Sequence, residues 1–461
     1  MVKGGQGLIT MGKPRTLLED IAAHVLSFAY TTVEVEHKHG SECRRAARML
    51  LPCSKGEHRG SMKSGLNFLV AACQCEIGEL EQLALTSELV GVIARLIHGL
   101  QRERGLSNVY LASGGARLAE ARRLQLAECL QLEQAVRQRF DQLDTGPQRG
   151  GHGARLFSRI AWVLHALDGV PAVRLQVDQL RLSPAEATSA FVRLIAGLLA
   201  VVFEAADSAG DPEISRALVA MFNFMQGKEF AGQERAFGSA AFASGHTEPS
   251  TRQQWLHLVE QQERCFQVFR DCSEPAIVQA WLAAQSGAAP AEIERLRRIG
   301  CGPDGGALDR NLSQTWFDSC TLRIDAMKSV EELLAASLRS LCERKIAKAR
   351  AELHDQQVFL DTLSRESGAD TPPGYGPQLE RSILGMVQEQ AQRLQAMSDE
   401  LETVRAALNE RKLVERAKGL LMATRKLSED EAHKMLRQTA MSQNRRLVDV
   451  AETVLSMADY L

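Results

Sequence analysis

Two twelve-residue segments hold the side chains with the clearest chemical promise. Glu103-Arg104-Gly105-Leu106-Ser107-Asn108-Val109-Tyr110-Leu111-Ala112-Ser113-Gly114 recurs without a gap as Glu234-Arg235-Ala236-Phe237-Gly238-Ser239-Ala240-Ala241-Phe242-Ala243-Ser244-Gly245. Five of the twelve positions are identical, and Leu/Phe pairs fill two more. Each segment sets one arginine in a stretch otherwise small and apolar. An arginine inside an apolar bundle must find an anion, because a buried unpaired charge is costly. Two guanidiniums facing one another repel unless an anion sits between them. The guanidinium fork offers parallel N–H donors to a small planar oxyanion and stays charged at every physiological pH. Small residues at Gly105, Ser107, Ala236 and Gly238 let backbone approach such a ligand. The competing account is internal: Arg104 and Arg235 pair with Glu103, Glu234 or other carboxylates of the bundle. The residues alone leave both open.

A second chemistry sits at the C-terminus. From Arg411 to Arg446 there are ten Lys/Arg against four Asp/Glu, a local +6 in a chain whose formal net charge is −2. Such a run is often only a solvated face. Here the basic residues interleave with apolar helical positions and gather at helix ends, Arg425-Lys426 and then Asn444-Arg445-Arg446. That arrangement displays cations on folded helices, as the phosphates of a nucleic acid require.

The elements that must position these groups are helices. Of 461 residues, 45% are hydrophobic and 24% charged, an ordinary globular balance, and only 5% are aromatic. Leu, Ala, Gln, Glu and Arg favour helix, and no Val/Ile/Thr-rich alternating segment reads as a strand. The fold class expected is all-α, with a sensor domain of two related four-helix halves. From about Leu66 to Glu366 amphipathic runs alternate with breaks at 144–153, 168–171, 207–212, 244–250, 286–290 and 300–306, giving about eight helices. Ser183-Pro184-Ala185-Glu186 is a capping box with Pro at the first helical position, and Asp211-Pro212-Glu213 is another helix start. Ser367 to Pro377 is a Gly/Pro linker. Leu394, Met397, Leu401, Val404 and Leu408 follow at 3-4-3-4 spacing, either a coiled-coil seam over 378–410 that also serves as a dimer contact, or one helix packed on its own domain. Residues 411–461 form a three-helix tail. Ser428-Glu429-Asp430-Glu431 caps its second helix, and Asn444 marks the stop. Residues 1–61 differ from the rest, with nine Lys/Arg against six Asp/Glu and scattered Gly, His and Pro. They read as a poorly ordered extension or as translation from a start codon that is not used.

Gln101-Arg102-Glu103-Arg104-Gly105-Leu106-Ser107-Asn108, followed by Gly232-Gln233-Glu234-Arg235-Ala236, resembles the nitrate- and nitrite-sensing (NIT) domain family over roughly Gly78 to Leu341. The resemblance implies a pair of helical bundles that binds nitrate through an arginine of each motif, so Arg104 and Arg235 become the ligand clamps. Arg102 is a weaker third candidate, since its place on the helix points it away from Arg104. The tail pattern Ala417-Lys418-Gly419-Leu420-Leu421-Met422, Leu427-Ser428-Glu429-Asp430-Glu431-Ala432, Leu436-Arg437-Gln438-Thr439-Ala440, Asn444, Leu447 and Val450-Ala451 resembles the ANTAR domain of transcription antitermination regulators. Together the two resemble the nitrate-responsive antiterminator (NasR-type) family. The resemblance implies RNA binding that stabilises paired stem-loops, with Lys418, Arg425, Arg437, Asn444 and Arg445 facing RNA. Such RNA is read through loop bases and phosphates. Alanines 417, 432, 440 and 451 fall where close helix packing needs small side chains.

Catalytic motifs are missing: there is no phosphate-cradling glycine loop, no HExxH and no nucleophile elbow. Ten cysteines lack the paired spacing of a zinc site or disulfide framework, so no metal and no cofactor is expected and the thiols read as reduced and intracellular. The longest apolar run, Leu194 to Phe203, is too short to span a bilayer, and no signal peptide is visible. The reading is a cytoplasmic one-component regulator without membrane contact, with nitrate or nitrite as effector, leader RNA with paired stem-loops as partner and a homodimer as assembly. The rivals are a helical scaffold with a protein-binding tail and a DNA-binding helix-turn-helix.

Overall fold

The computed structural model describes residues 65–143, 153–302, 307–366, 377–427, 429–443 and 445–458. The stretch 1–61, the linker before Pro377, the cap Ser428 and Asn444 lie outside the described residues. Among the described residues the regular elements are twelve helices and no strand, so the fold is all-α. They are α1 (Gly65–Ala112), α2 (Ala119–Asp141), α3 (Gly153–Asp178), α4 (Pro184–Ser208), α5 (Pro212–Ser244), α6 (Pro249–Cys272), α7 (Pro275–Gln285), α8 (Ala288–Gly300), α9 (Leu312–Glu366), α10 (Pro377–Arg425), α11 (Glu429–Gln443) and α12 (Leu447–Ala458).

Two helix starts follow directly from sequence. At α4 the Glu186 backbone N–H donates to Ser183 Oγ at 3.2 Å, and the Ser183 N–H donates to the Glu186 carboxylate at 2.8 Å. At α5 the Ile214 N–H donates to Asp211 Oδ1 at 2.9 Å. The break expected at 168–171 is absent, because α3 runs through Pro171. A buried stripe of Leu156, Ile160, Val163, Leu167, Val170 and Val177 holds that helix against the bundle. Its packing outweighs the ~3 kcal/mol that an interior proline costs. The chain leaves the helix later, at Leu180, whose φ of 56° is left-handed. Turns at 113–118 and 273–274 were not foreseen, and among the described residues between 65 and 366 there are nine helices rather than about eight.

The sensor is built from two bundles joined by a common core, and the second has a smaller cluster of its own around Trp255 and Trp316. In the first, α1 packs on α2 and α4, and α3 packs on α4. In the second, α5 packs on α6 and α9, with the short α7 and α8 against α9. The long helices α1 and α9 join the halves. The first half is therefore the expected four-helix set, whereas the second divides its corresponding length among more, shorter pieces. The run Leu194–Phe203 lies within α4, and most of it is buried in this core. By length and composition α1, α3 and α4 are each long and apolar enough to cross a membrane, so the run is part of a longer apolar helix than its ten residues indicated.

Helix α10 is continuous from the seam into the tail, and α11 and α12 pack on its C-terminal part. Ala417, Ala432, Ala440 and Ala451 are all buried there with Leu421, Leu436 and Val450, as close helix approach demands. Within the seam Val404 belongs to the sensor core, Met397 and Leu401 are half-buried, and Leu394 is exposed. The seam thus packs partly on its own domain. Lys412 pairs with Asp207, and Arg405 Nη2 donates to the Ala209 carbonyl at 3.2 Å. Both contacts pin α10 to the α4–α5 turn.

Candidate anion site and nucleic-acid interface

Each copy of the repeated motif occupies the C-terminal part of a long helix, the first on α1 and the second on α5. Both helices end in left-handed glycines, Gly114 at φ 61° and Gly245 at φ 78°, where a side chain would be strained. The motifs meet reciprocally. A Cβ built on Gly105 would lie 2.7 Å from Arg235 Nη2, and one built on Gly232 would lie 2.7 Å from Arg104 Nη2. Each guanidinium therefore lies against bare backbone of the other helix. Arg104 and Arg235 are buried, at 1% and 6% exposure.

The motif glutamates do not pair with their neighbouring arginines. Arg174 of α3 donates to both oxygens of Glu103 at 2.8 and 2.7 Å. Arg297 of α8 does the same to Glu234 at 2.7 and 2.6 Å, and Trp255 Nε1 and Gln262 Nε2 also donate to Glu234. Glu103 and Glu234 each fasten a bundle from within and leave Arg104 and Arg235 to other partners. The arginine beside Glu234 and its other donors hold that carboxyl below its ordinary range despite burial.

One carboxylate serves only the first of the two arginines. Glu229 accepts Arg104 Nη1 at 2.5 Å and Nη2 at 3.2 Å, Gln101 Nε2 at 2.9 Å and Gln233 Nε2 at 2.9 Å. Arg235 has no carboxylate within ion-pair distance among the described residues. Its Nη1 donates to Thr321 Oγ1 at 3.0 Å, and its guanidinium carbon sits 5.0 Å from the centre of the Phe317 ring. Burial, and next the charge of Arg104, lower the Arg235 pKa to about 10, so it remains cationic at neutral pH. On α1, nearly two turns before Arg104, His98 is kept neutral, its pKa pushed down to about 2 by burial and by Lys228. Lys228 is wholly buried and pairs with Glu331 at 2.5 Å, and Lys328 adds a second cation to that carboxylate at 3.3 Å. The interior around this pair thus holds Arg104, Arg235, Lys228 and Lys328 against the carboxylates of Glu229 and Glu331. It can hold a small oxyanion through two forks from opposite helices.

Arg102 lies on the exposed side of α1 and is not brought to this pair. Sequence reasoning missed Glu229, Gln101, Gln233, Thr321 and Phe317. The one visible signal was Lys228-Glu229, two adjacent charges in the otherwise uncharged run 217–231.

The expected RNA-facing residues do not share one open surface. Arg425 and Arg445 are exposed, and Arg445 Nη2 donates to the Asp449 carbonyl and Thr453 Oγ1, both at 3.1 Å. Lys418 is instead buried, at 7% exposure, beside Ala417 on the packed face of α10. Arg437 is half-buried and pairs with Glu260 of α6 at 3.1 Å. Beside that pair the rings of His257 and His433 lie 4.8 Å apart. Together with Arg264 and Arg445 these residues line a cleft of about 440 Å³ between α6 and the tail.

The family model described as nitrate and nitrite sensing matches residues 95–339, which include both arginine motifs. The chain belongs to the nitrate- and nitrite-sensing family. A model for the ANTAR domain matches residues 402–455. A nitrate regulatory protein of Klebsiella oxytoca is 34% identical over 400 residues, 86% of this chain and 96% of that protein. The solved structure of the NasR transcription antiterminator is similar with a TM-score of 0.56 at 32% identity, over 86% of this chain and 99% of that one. A sensing domain joined to an ANTAR domain is the architecture of a regulator and not of an enzyme.

Proposed function

We propose that this protein is a nitrate- or nitrite-responsive transcription antitermination regulator whose ANTAR tail binds paired stem-loops of leader RNA. The carrying observation is the juxtaposition of Arg104 and Arg235 across α1 and α5, with a carboxylate on Arg104 and none on Arg235 among the described residues. Of these two buried cations only Arg104 is ion-paired, which leaves charge that a monovalent oxyanion can balance, and nitrate matches the guanidinium fork in shape. The ligand acts by linkage: it must bind the RNA-competent arrangement better than the present one, otherwise it switches nothing. The present arrangement is the resting one, because Arg437 is tied to the sensor through Glu260 and Lys418 is buried. Helix α5 joins the two events. Its second half carries Glu229 and Arg235, and its first turn adjoins the α4–α5 contacts to α10. The protein acts in the cytoplasm, where leader RNA is made. A second copy covers the exposed Leu384, Val387 and Leu394 of α10 to form the dimer.

The test is thermal melting of the full chain with sodium nitrate, nitrite, chloride and sulfate. Nitrate or nitrite raises Tm by mass action, and Arg104→Ala or Arg235→Ala abolishes the rise. Each lost charge-assisted bond costs about 1.5–3 kcal/mol of binding. Variants that respond like wild type overturn the assignment of the two clamps.

A further inference from the structure

Glu229 occupies the place that an incoming oxyanion needs. Its two oxygens receive both arms of the Arg104 fork and the amide groups of Gln101 and Gln233, four donors from α1 and α5 converging on one planar, negatively charged group. A carboxylate and a nitrate present the same pair of coplanar oxygens to a guanidinium. Arg235, on the other side of the site, is left with a hydroxyl and an aromatic face. Only Arg104 is therefore occupied from within the protein.

We propose that Glu229 is a built-in competitor for the ligand: its side chain fills the oxyanion seat in the resting state and must be displaced for nitrate to bind between Arg104 and Arg235. This rests on the reading of that site as the nitrate site and assigns a specificity- and affinity-setting role to a residue outside both repeated motifs. It has two consequences. Affinity is held down, since every binding event first breaks a buried, charge-assisted tie, and the sensor therefore answers to concentration and ignores traces. Selectivity rises as well, because an anion must replace a bidentate partner. Chloride, a sphere with no pair of oxygens, cannot reproduce the contacts it would break. Displacement also exchanges a direct α1–α5 tie for one carried by the ligand. Binding and the relation of these helices thus change in a single step.

The experiment compares wild type, Glu229→Gln and Glu229→Ala in the full chain, by calorimetric titration with sodium nitrate and by melting in sodium nitrate, sodium acetate and sodium chloride. Glutamine keeps the volume and removes the competing charge, so nitrate should bind it roughly tenfold or more tightly than wild type. Alanine vacates the seat, so its Tm falls in chloride, and acetate restores it while leaving wild type unmoved. Nitrate binding to Glu229→Gln that equals or is weaker than that to wild type overturns the competitor role. Failure of acetate to restore Glu229→Ala beyond chloride overturns the seat itself. A wild type and a Glu229→Gln variant that both ignore nitrate, while acetate still restores Glu229→Ala, would sink the nitrate reading and leave the seat standing.

Discussion

At the scale of single residues, the site depends on what is missing as much as on what is present. Gly105 and Gly232 each leave the space that the opposite arginine fills, so a methyl group at either must push a guanidinium aside. Gly105→Ala and Gly232→Ala should weaken nitrate binding severalfold in calorimetric titration. Helix stability should hold or improve, since alanine is the better helix former by about 1 kcal/mol. Loss of binding together with a lowered Tm would instead mark these glycines as packing positions only. His98 supports a pH prediction. Its folded pKa is depressed to about 2 from 6.5, so the unfolded chain binds a proton that the folded chain refuses between those values. Stability is then complete above pH 6.5 and falls as pH drops below it, by up to about 2 kcal/mol at pH 5 from this group alone. Denaturant titrations of wild type and His98→Gln between pH 5 and 8 should converge at the alkaline end and separate at the acid end. The arginine pair was legible in sequence because it is repeated. Glu229 was not, because a carboxylate six positions before Arg235 belongs to no repeat and its partners come from another helix.

At the scale of elements, caps announced themselves and tertiary packing did not. Ser183 and Asp211 satisfy backbone donors within three residues, a local fact that sequence displays. Pro171 misled because its effect is decided by a stripe of side chains on α3 that finds its partner in α4, information absent from any short window. The seam of α10 was ambiguous for a similar reason. Val404 belongs to the sensor core while Leu394 remains exposed, so one heptad pattern serves two neighbours along its length. The alanines of the tail were readable because a buried small residue at each helix crossing is a sequence property wherever three short helices must pack closely.

At the scale of the whole molecule, the balance lies between a tail tied to the sensor and a tail open to RNA. The Arg437–Glu260 pair is partly exposed, at 33% and 42% of its side chains, so it contributes at most about 1 kcal/mol. Glu260→Ala should raise RNA affinity without nitrate by no more than about fivefold in an electrophoretic shift. An unchanged shift means other contacts hold the tail. Phosphate contacts release counterions, so log K of the nitrate-bound protein should fall linearly with log salt, and removing Arg425 or Arg445 should lower the slope by just under one unit each. Equal affinity for duplex DNA and for hairpins would transfer the tail to DNA. The charge that motivates this was visible in composition. Its masking by α6 was not, since that contact joins residues 177 positions apart.

The unbroken course of α10 makes angular phase a design variable. The sensor grips this helix at Arg405 and Lys412, and its side chains pack on the tail core from Leu413 onward, with no joint between them. A rigid rod with 3.6 residues per turn transmits rotation as well as displacement, about 100° for every residue inserted. One residue added after Lys412 should swing the tail through more than a quarter turn and uncouple RNA binding from nitrate. Seven should bring it back within about 20° and restore control. Control that survives every insertion length would mean the signal passes by contact with α6 and not along the shaft.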